Sequence, residues 1–260
     1  MKKRLLSMGL VLALAAGSIA ACGSNSDNGK EGATLTVLNY GKYIDEDAVK
    51  QFEKETGIKV KYEEYESPEE MYTKYKAGSI DYDVICSSEY MVEKLINEGE
   101  VLQMDYAGME NYKNLDPTII DMSSAYDKDH NYSLPYFYGT LGLLYNKTEV
   151  DPSVVKSWDC LWDPTYEDEI IMENSVRDTF APALIDLGYS LNETDETHLR
   201  EALDVLKKQK DDKIVYGYYV DETADAMIGE EALIALCYSG EAALAMDEND
   251  NLDYSVPEEG

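Results

Sequence analysis

Val84-Ile85-Cys86-Ser87-Ser88-Glu89-Tyr90 is the stretch on which the architecture turns. Three consecutive apolar residues without polar alternation suit a short strand buried on both faces. The residues after them mark a helix that starts at Ser88 and runs to Asn97. A strand feeding straight into a helix is half of a β-α-β unit, and upstream the same half-unit occurs twice more. Thr34 to Leu38 is a β-type run ending at Asn39-Tyr40, followed by a helix from Asp45 to Glu55 that Gly57 closes. Ile58 to Tyr62 is the next strand. Ser67-Pro68-Glu69-Glu70 then reads as a capping box with proline at the first helical position. It opens a helix carrying Met71, Tyr72 and Tyr75 toward Gly78. Strand-helix alternation of this kind predicts a parallel sheet with helices on both faces, an α/β fold.

Downstream the pattern continues with less regularity. Tyr132 to Tyr145 is extended and aromatic, interrupted by Pro135 and Gly139. Ile170-Ile171-Met172 is a short strand, and a helix is expected from Phe180 to Leu187. Asp195 caps a helix that places Leu199, Ala202, Leu203 and Leu206 on one face. Val215 to Val220 and Ala232 to Cys237 read as strands, and Ser239 opens a helix through Met246.

The amino terminus says where the protein works. Met1-Lys2-Lys3-Arg4 is cationic, Leu5 to Ala16 is apolar apart from Ser7 and Gly9, and Gly17 to Ala21 is small. That is the order of a secretory signal, and its apolar run is shorter than the roughly 20 residues a membrane span needs. Ile19-Ala20-Ala21-Cys22 matches the bacterial lipoprotein box, which makes residues 1–22 a signal ending at a lipid-modified Cys22. Residues 23–33 are rich in Gly, Ser, Asn and Asp and read as a flexible tether. The expectation is a protein anchored by lipid to the outer face of the bacterial cell membrane, or to the periplasmic side where an outer membrane exists.

Composition narrows the partners. The full chain carries a formal net charge of −31. Removing the signal deletes three of the 22 basic residues and none of the 53 acidic ones, so the mature charge is −34. Such a balance excludes nucleic acid and an anionic lipid face as partners and suits a small cation. Cys86, Cys160 and Cys237 are an odd number without zinc-site spacing, and they read as small buried hydrophobes. No metal or cofactor is indicated.

Open parallel sheets bind ligands beyond the carboxyl ends of their strands. That rule selects Asn39, Tyr40, Gly41 and Tyr43; then Ser87, Ser88, Glu89 and Tyr90; then Asn174, Ser175, Arg177 and Asp178; and finally Tyr238, Ser239 and Gly240. The chain has 22 Tyr against 3 Phe and 2 Trp, so its aromatic surface is amphipathic. Tyrosine faces attract ammonium groups by roughly 0.5 to 2 kcal/mol per contact, and carboxylates add charge-assisted hydrogen bonds. A flexible aliphatic amine fits this set.

Several segments resemble the bacterial spermidine/putrescine-binding proteins of ABC transporters. They are Asn39-Tyr40-Gly41-Lys42-Tyr43, Phe52 to Val60, Ser88-Glu89-Tyr90, Tyr132 to Tyr136, Ser157 to Trp162, Ser175-Val176-Arg177-Asp178 and Leu187-Gly188-Tyr189-Ser190, in that order. The resemblance implies a two-lobed, type II periplasmic-binding-protein-like fold. Its lobes would span residues 34–136 and 137–260, and it would be incomplete at the C-terminus. It implies that Tyr40, Tyr43, Tyr90 and Tyr238 wall the aliphatic chain of putrescine or spermidine, that Ser88 adds a polar contact, and that Asp178 pairs with an ammonium. Permease subunits of an ABC importer would be the protein partners. Gly41 stands where some members have a hydroxyl residue and Ser175 where some have a second carboxylate, which leaves the choice of polyamine open.

Two other readings compete. One is a solute-binding lipoprotein for another small solute. The other is a secreted hydrolase, for which His130 and His198 are the available imidazoles. His130 sits in a polar loop and His198 on a helix; no Gly-x-Ser-x-Gly elbow, His-Glu-x-x-His helix or phosphate loop accompanies them.

Overall fold

Asp45, Ser67 and Gly57 act as the local rules require. In a computed structural model, which describes residues 32–260, strand β1 is Thr34–Tyr40 and helix α1 is Glu46–Thr56. The Asp45 carboxylate accepts from the Asp47 amide, and Gly57 closes α1 at φ 73°, a left-handed conformation that glycine adopts without a Cβ penalty. Strand β2 (Lys59–Tyr65) runs three residues beyond its expected end, because its pairing with β1 holds as far as Tyr40↔Tyr65. Helix α2 (Pro68–Lys76) starts on a Ser67 hydroxyl that accepts from the Glu70 amide. The reciprocal half of the capping box is displaced by one residue, since Glu70 accepts from the Glu66 amide at 2.8 Å. Strand β3 (Val84–Ile85) and helix α3 (Glu89–Asn97) are the next elements of the first lobe. Its sheet is wholly parallel, in the order β2-β1-β3.

Short helical turns and helix α4 (Pro117–Met122) lead to an irregular stretch over residues 126–140. The second lobe then begins with β4 (Leu141–Asn146), β5 (Ile170–Glu173), α5 (Val176–Asp186), α6 (Glu196–Asp211) and β6 (Val215–Tyr219). It continues with α7 (Thr223–Ile228), β7 (Ile234–Tyr238), α8 (Ser239–Glu248) and β8 (Leu252–Ser255). Its sheet runs β6-β5-β7-β4-β8; β5 is parallel to β6 and β7, while β4 is antiparallel to β7 and β8.

Three differences from expectation have physical causes. Helix α5 starts four residues earlier than predicted, at Val176, and carries Pro182 in its interior. The proline removes only the one backbone bond that would return to the Asp178 carbonyl. The extended aromatic stretch is a strand only from Leu141, where β4 finds β7 and β8 as partners. Helix α7 has no counterpart in the sequence reading: with six residues, of which Asp225 alone is exposed, it is too short for an apolar period to show.

The cores differ in size and kind. In the first lobe Leu38, Tyr40, Tyr65, Met71, Met91 and Leu95 cluster together. In the second, one aliphatic cluster around Leu143, Ile170, Leu184, Leu206 and Leu236 lies on one side of the sheet. Another around Leu144, Ile171, Met227, Ala235 and Ala242 fills the other. Of the cysteines, Cys160 and Cys237 are buried and Cys86 is half-exposed, all three as free thiols. The proposed signal, Cys22 and nearly all of the tether lie outside the described residues.

Candidate functional site: an acidic, tyrosine-walled cleft

The cleft lies where both sheets present the carboxyl ends of parallel strands. Its volume is about 2130 Å³, more than the roughly 300–1,000 Å³ of an ordinary ligand pocket. The excess lies along the first lobe, where the cleft continues over Val84, Val101, Leu102, Ile119 and Met122. The polar part is where the two lobes meet.

The first lobe contributes hydroxyl-bearing aromatics. Tyr40 ends β1, and its ring lies 4.9 Å from Tyr43 and 4.5 Å from Tyr65, centroid to centroid. The Tyr40 hydroxyl is 2.7 Å from Ser88 Oγ. Ser88 thus spends its side chain on Tyr40 and makes no capping bond to α3. Tyr43 also meets Phe137 edge to face at 5.7 Å. Tyr90, in the first turn of α3, donates its hydroxyl to Glu69 at 3.1 Å. Burial raises the pKa of Tyr40, Tyr43 and Tyr90, so all three are neutral phenols with intact π-faces. One cation already uses such a face: the Arg177 guanidinium of the second lobe lies 5.2 Å above the Tyr90 ring.

The second lobe contributes acid. Tyr238 ends β7 and donates its hydroxyl to Asp178 Oδ2 at 2.5 Å. Asp178 is the third residue of α5, where the positive end of a helix favours a carboxylate. Burial, with Glu173 and Asp178 nearby, raises the Tyr238 phenol far above its usual pKa and fixes it as the donor. Ser175 is buried as the N-cap residue of α5, and its hydroxyl has no partner.

Tyr40, Tyr43, Ser88, Tyr90, Asp178 and Tyr238 all line this cleft. Ser175 lies beneath them rather than on the lining. The strand-end rule missed Glu173, Glu241 and Asp221. Glu173 is the last residue of β5 and is wholly buried, with both carboxyl oxygens unpaired. Glu241 sits in the first turn of α8, 8% exposed, and its oxygens are also unpaired. Burial, then Glu241, Asp178 and Asp221, holds Glu173 well above the ordinary carboxyl range. Burial first, and Asp221 and Asp178 after it, pushes Glu241 up to about 8, although the Tyr238 amide and Lys42 draw it partly back. A legible signal existed for Glu173, a charge that directly ends the apolar run Ile170-Ile171-Met172. For Glu241 there was none, since an acid in the first turn of a helix is ordinary.

Gly41 explains its own side-chain absence. A Cβ built there would lie 2.0 Å from Asp221 Oδ2 of the second lobe. The neighbouring Lys42 reaches across to the Asp221 carbonyl at 3.0 Å and Asp225 Oδ2 at 3.1 Å. The two imidazoles are elsewhere: His130 Nδ1 pairs with Ser123 at 3.0 Å, and His198 stacks on Tyr189 and bonds Glu193.

The bacterial extracellular solute-binding protein family profile matches residues 47–260. The chain belongs to that family. This solute-binding protein is 34% identical over 250 residues to the spermidine/putrescine-binding periplasmic protein of Salmonella typhimurium; the match spans 95% of the chain and 70% of the relative. Among solved structures it is similar to one from Listeria monocytogenes ascribed to a spermidine/putrescine ABC transporter. There the TM-score is 0.82 at 37% identity, over 87% of this chain and 69% of that one. It is also similar to the PotD substrate-binding protein of Streptococcus pneumoniae, with TM-score 0.67 at 38% identity and the same coverage. The fold is therefore the two-lobed α/β type of the periplasmic binding proteins, and this solute-binding protein spans about 70% of the length of these relatives.

Proposed function

We propose that this solute-binding protein is the capture component of a polyamine importer, holding putrescine or spermidine between lobes 34–136 and 137–260. The observation that carries the reading is the convergence of neutral tyrosine faces from one lobe and an Asp178–Tyr238 carboxylate pair from the other on a single cleft. Tyr40, Tyr43, Tyr90 and Tyr238 pack on methylenes and attract ammonium groups, Ser88 offers a hydroxyl, and Asp178 takes a charged nitrogen. The ligand favours a closed arrangement because it touches both lobes at once. Relatives that bind spermidine and putrescine support the choice of ligand class. The closed complex would dock on the permease subunits of an ABC transporter, with Cys22 carrying a lipid that keeps the protein at the outer face of the cell membrane.

The decisive measurement is calorimetry with putrescine, spermidine, a sugar panel and an amino-acid panel. Saturable heat with a polyamine alone is the expected result. Binding of a sugar or a neutral amino acid with no response to polyamine defeats the reading. The anchor has its own test, since labelled fatty acid should mark the wild type and not Cys22→Ala.

A further inference from the structure

Arg177 lacks the partner that a cation finds most easily in this chain. The sequence holds 53 acidic residues against 22 basic ones, and Arg200 on α6 pairs with Glu196 in the ordinary way. No carboxylate among the described residues lies within ion-pair distance of the Arg177 guanidinium. One of its nitrogens donates instead to the side-chain oxygen of Asn192 at 2.7 Å, and its central carbon lies 5.2 Å from the centre of the Tyr90 ring, over the face. That contact joins the lobes, since Arg177 is in the first turn of α5 and Tyr90 in the first turn of α3. A cation at the start of a helix faces the positive end of the dipole, so helix electrostatics do not account for an arginine there.

Asn192 belongs to the connection between α5 and α6, residues 187–195, which is tied to itself and to α6. The Asn192 amide donates to Ser190 Oγ at 3.1 Å, and the Glu193 amide to the Ser190 carbonyl at 3.0 Å. Glu193 Oε1 accepts from the Thr194 and Asp195 amides at 2.8 and 2.9 Å, and its Oε2 accepts from His198 Nδ1 at 2.9 Å. Tyr189 stacks on the His198 ring at 4.0 Å. A connection fixed in this way holds a short amide side chain in one place. A guanidinium gripped at one nitrogen keeps its plane over the tyrosine, and less side-chain freedom is lost when it stacks. Arg177, Asn192 and Tyr90 all line the cleft, and the first two are exposed, which puts the contact at its mouth.

We propose that Arg177 is an interlobe latch, aimed by Asn192, which rests on Tyr90 and holds the unliganded cleft partly closed. The latch itself does not depend on what the cleft binds, while its effect on polyamine affinity rests on the functional reading above. A ligand that needs the closed arrangement binds more tightly in proportion to how far that arrangement is already populated. A guanidinium–tyrosine contact within reach of solvent shifts such an equilibrium by about twofold to fivefold. The contact exists only while the lobes are together, so its loss acts chiefly on how fast the cleft reopens.

Nuclear magnetic resonance of the unliganded protein reads the contact directly, because protons over an aromatic face are shifted upfield by the ring. The Arg177 Nε–H and Cδ–H signals should lie upfield in the wild type and return to ordinary positions in Tyr90→Leu. Asn192→Ala should move them most of the way back with Tyr90 untouched. Asn192→Asp keeps the acceptor oxygen and should leave them upfield, a rescue that separates aiming from mere packing. With putrescine, Arg177→Met and Asn192→Ala should each weaken binding about twofold to fivefold, mainly through faster dissociation. Arg177→Met added to Tyr90→Leu should cost little more, because the two groups make one contact. Signals at ordinary positions in the wild type, or upfield signals that Tyr90→Leu leaves unmoved, overturn the latch whether or not a polyamine binds. Ring-shifted signals with unchanged affinity in both Arg177→Met and Asn192→Ala overturn its part in capture. Ring-shifted signals in a wild type that binds no polyamine support the latch and defeat the functional reading.

Discussion

The two lobes solve different problems with the same kind of element. Among the described residues the first lobe buries six hydrophobic side chains in one cluster, and two of these are tyrosines. The second buries sixteen and eleven on the two sides of its sheet, almost all aliphatic. Their carboxyls contrast as well. Near α2 and α3, Glu98 is held down to about 2 by Lys94, Tyr72 and Lys76, and Glu100 is lowered by Lys76 and Tyr75. In the second lobe Glu173 and Glu241 are raised by burial. A large apolar frame can hold acids away from water, whereas a small aromatic one keeps its acids outside on lysines. The division of labour in the cleft follows: one lobe supplies soft faces and the other supplies charge.

The sharpest way to break this comparison is to remove charge from the second lobe. Asp178→Asn leaves the shape and the Tyr238 contact but takes away the partner of a buried ammonium. The expected loss in polyamine affinity is about 2 to 5 kcal/mol, or roughly 30-fold to several thousand-fold. Calorimetry with putrescine measures it. A loss below threefold would mean that the charge is supplied elsewhere.

Next in size is a pH effect on stability that belongs to the second lobe alone. The Glu241 carboxyl is held at about 8 when folded, against an ordinary value of 4.5. Between those values the folded protein keeps a proton that the unfolded chain has released. Stability from this group is therefore fully present below the ordinary value and is lost as pH rises toward 8. Each unit of the difference is worth about 1.4 kcal/mol, and each kcal/mol moves the melting temperature of a chain this size by about 2 to 4 °C. The unliganded protein should melt several degrees lower above pH 8 than near pH 5, and Glu241→Gln should flatten that slope. The lysine-bridged Glu98 has the opposite sign, losing its contribution only as pH falls through its own low value. A slope unchanged in Glu241→Gln would show that the group is not buried in solution.

What could be read ahead of the structure divides along the same line. The first lobe announces itself locally, because Asp45, Gly57 and Ser67-Pro68 act on their own neighbours. The second lobe depends on distant pairing. Strand β8 has meaning only beside β4, more than a hundred residues away, and the six-residue α7 is too short to show a period. The site divides similarly. Most residues that follow strands were found by rule, including the Asp178–Tyr238 partners sixty residues apart, although Asp221, two residues beyond β6, was not. Glu173 and Glu241 were not: the charge that ends Ile170-Ile171-Met172 marked Glu173 but lies inside its strand rather than after it, and Glu241 carried no mark at all.

A smaller effect tests the soft side of the comparison. Tyr43→Leu keeps apolar bulk against Tyr40 and Phe137 and removes the π-face. The expected cost in polyamine affinity is about 0.5 to 2 kcal/mol, or roughly twofold to thirtyfold. A diaminoalkane and a monoamine of equal length should both feel it, whereas Asp178→Asn should penalise the diamine more.

The smallest effect is expected where the lobes touch each other directly. Lys42 belongs to the first lobe yet carries a cation to the acidic rim of the second, at Asp221 and Asp225. Its side chain is 51% exposed and that of Asp225 75%, so water screens the pair. Exposed ion pairs of this kind contribute about 0 to 1 kcal/mol, and Lys42→Met should change polyamine affinity less than about fivefold. The direction of the change is the informative part. If Lys42 only steadies closure, its loss weakens binding slightly, and scattering shows less compaction on adding putrescine. If its charge competes with ligand ammonium groups for the second lobe's acids, its loss strengthens binding, most at low ionic strength, where charges are screened least. Glu241 feels Lys42 as a lowering influence, so Lys42→Met should also raise the pH at which the glutamate pair ionises. An affinity gain beyond tenfold would make Lys42 a built-in rival of the ligand, and the first lobe could then no longer be described as the uncharged side of the cleft.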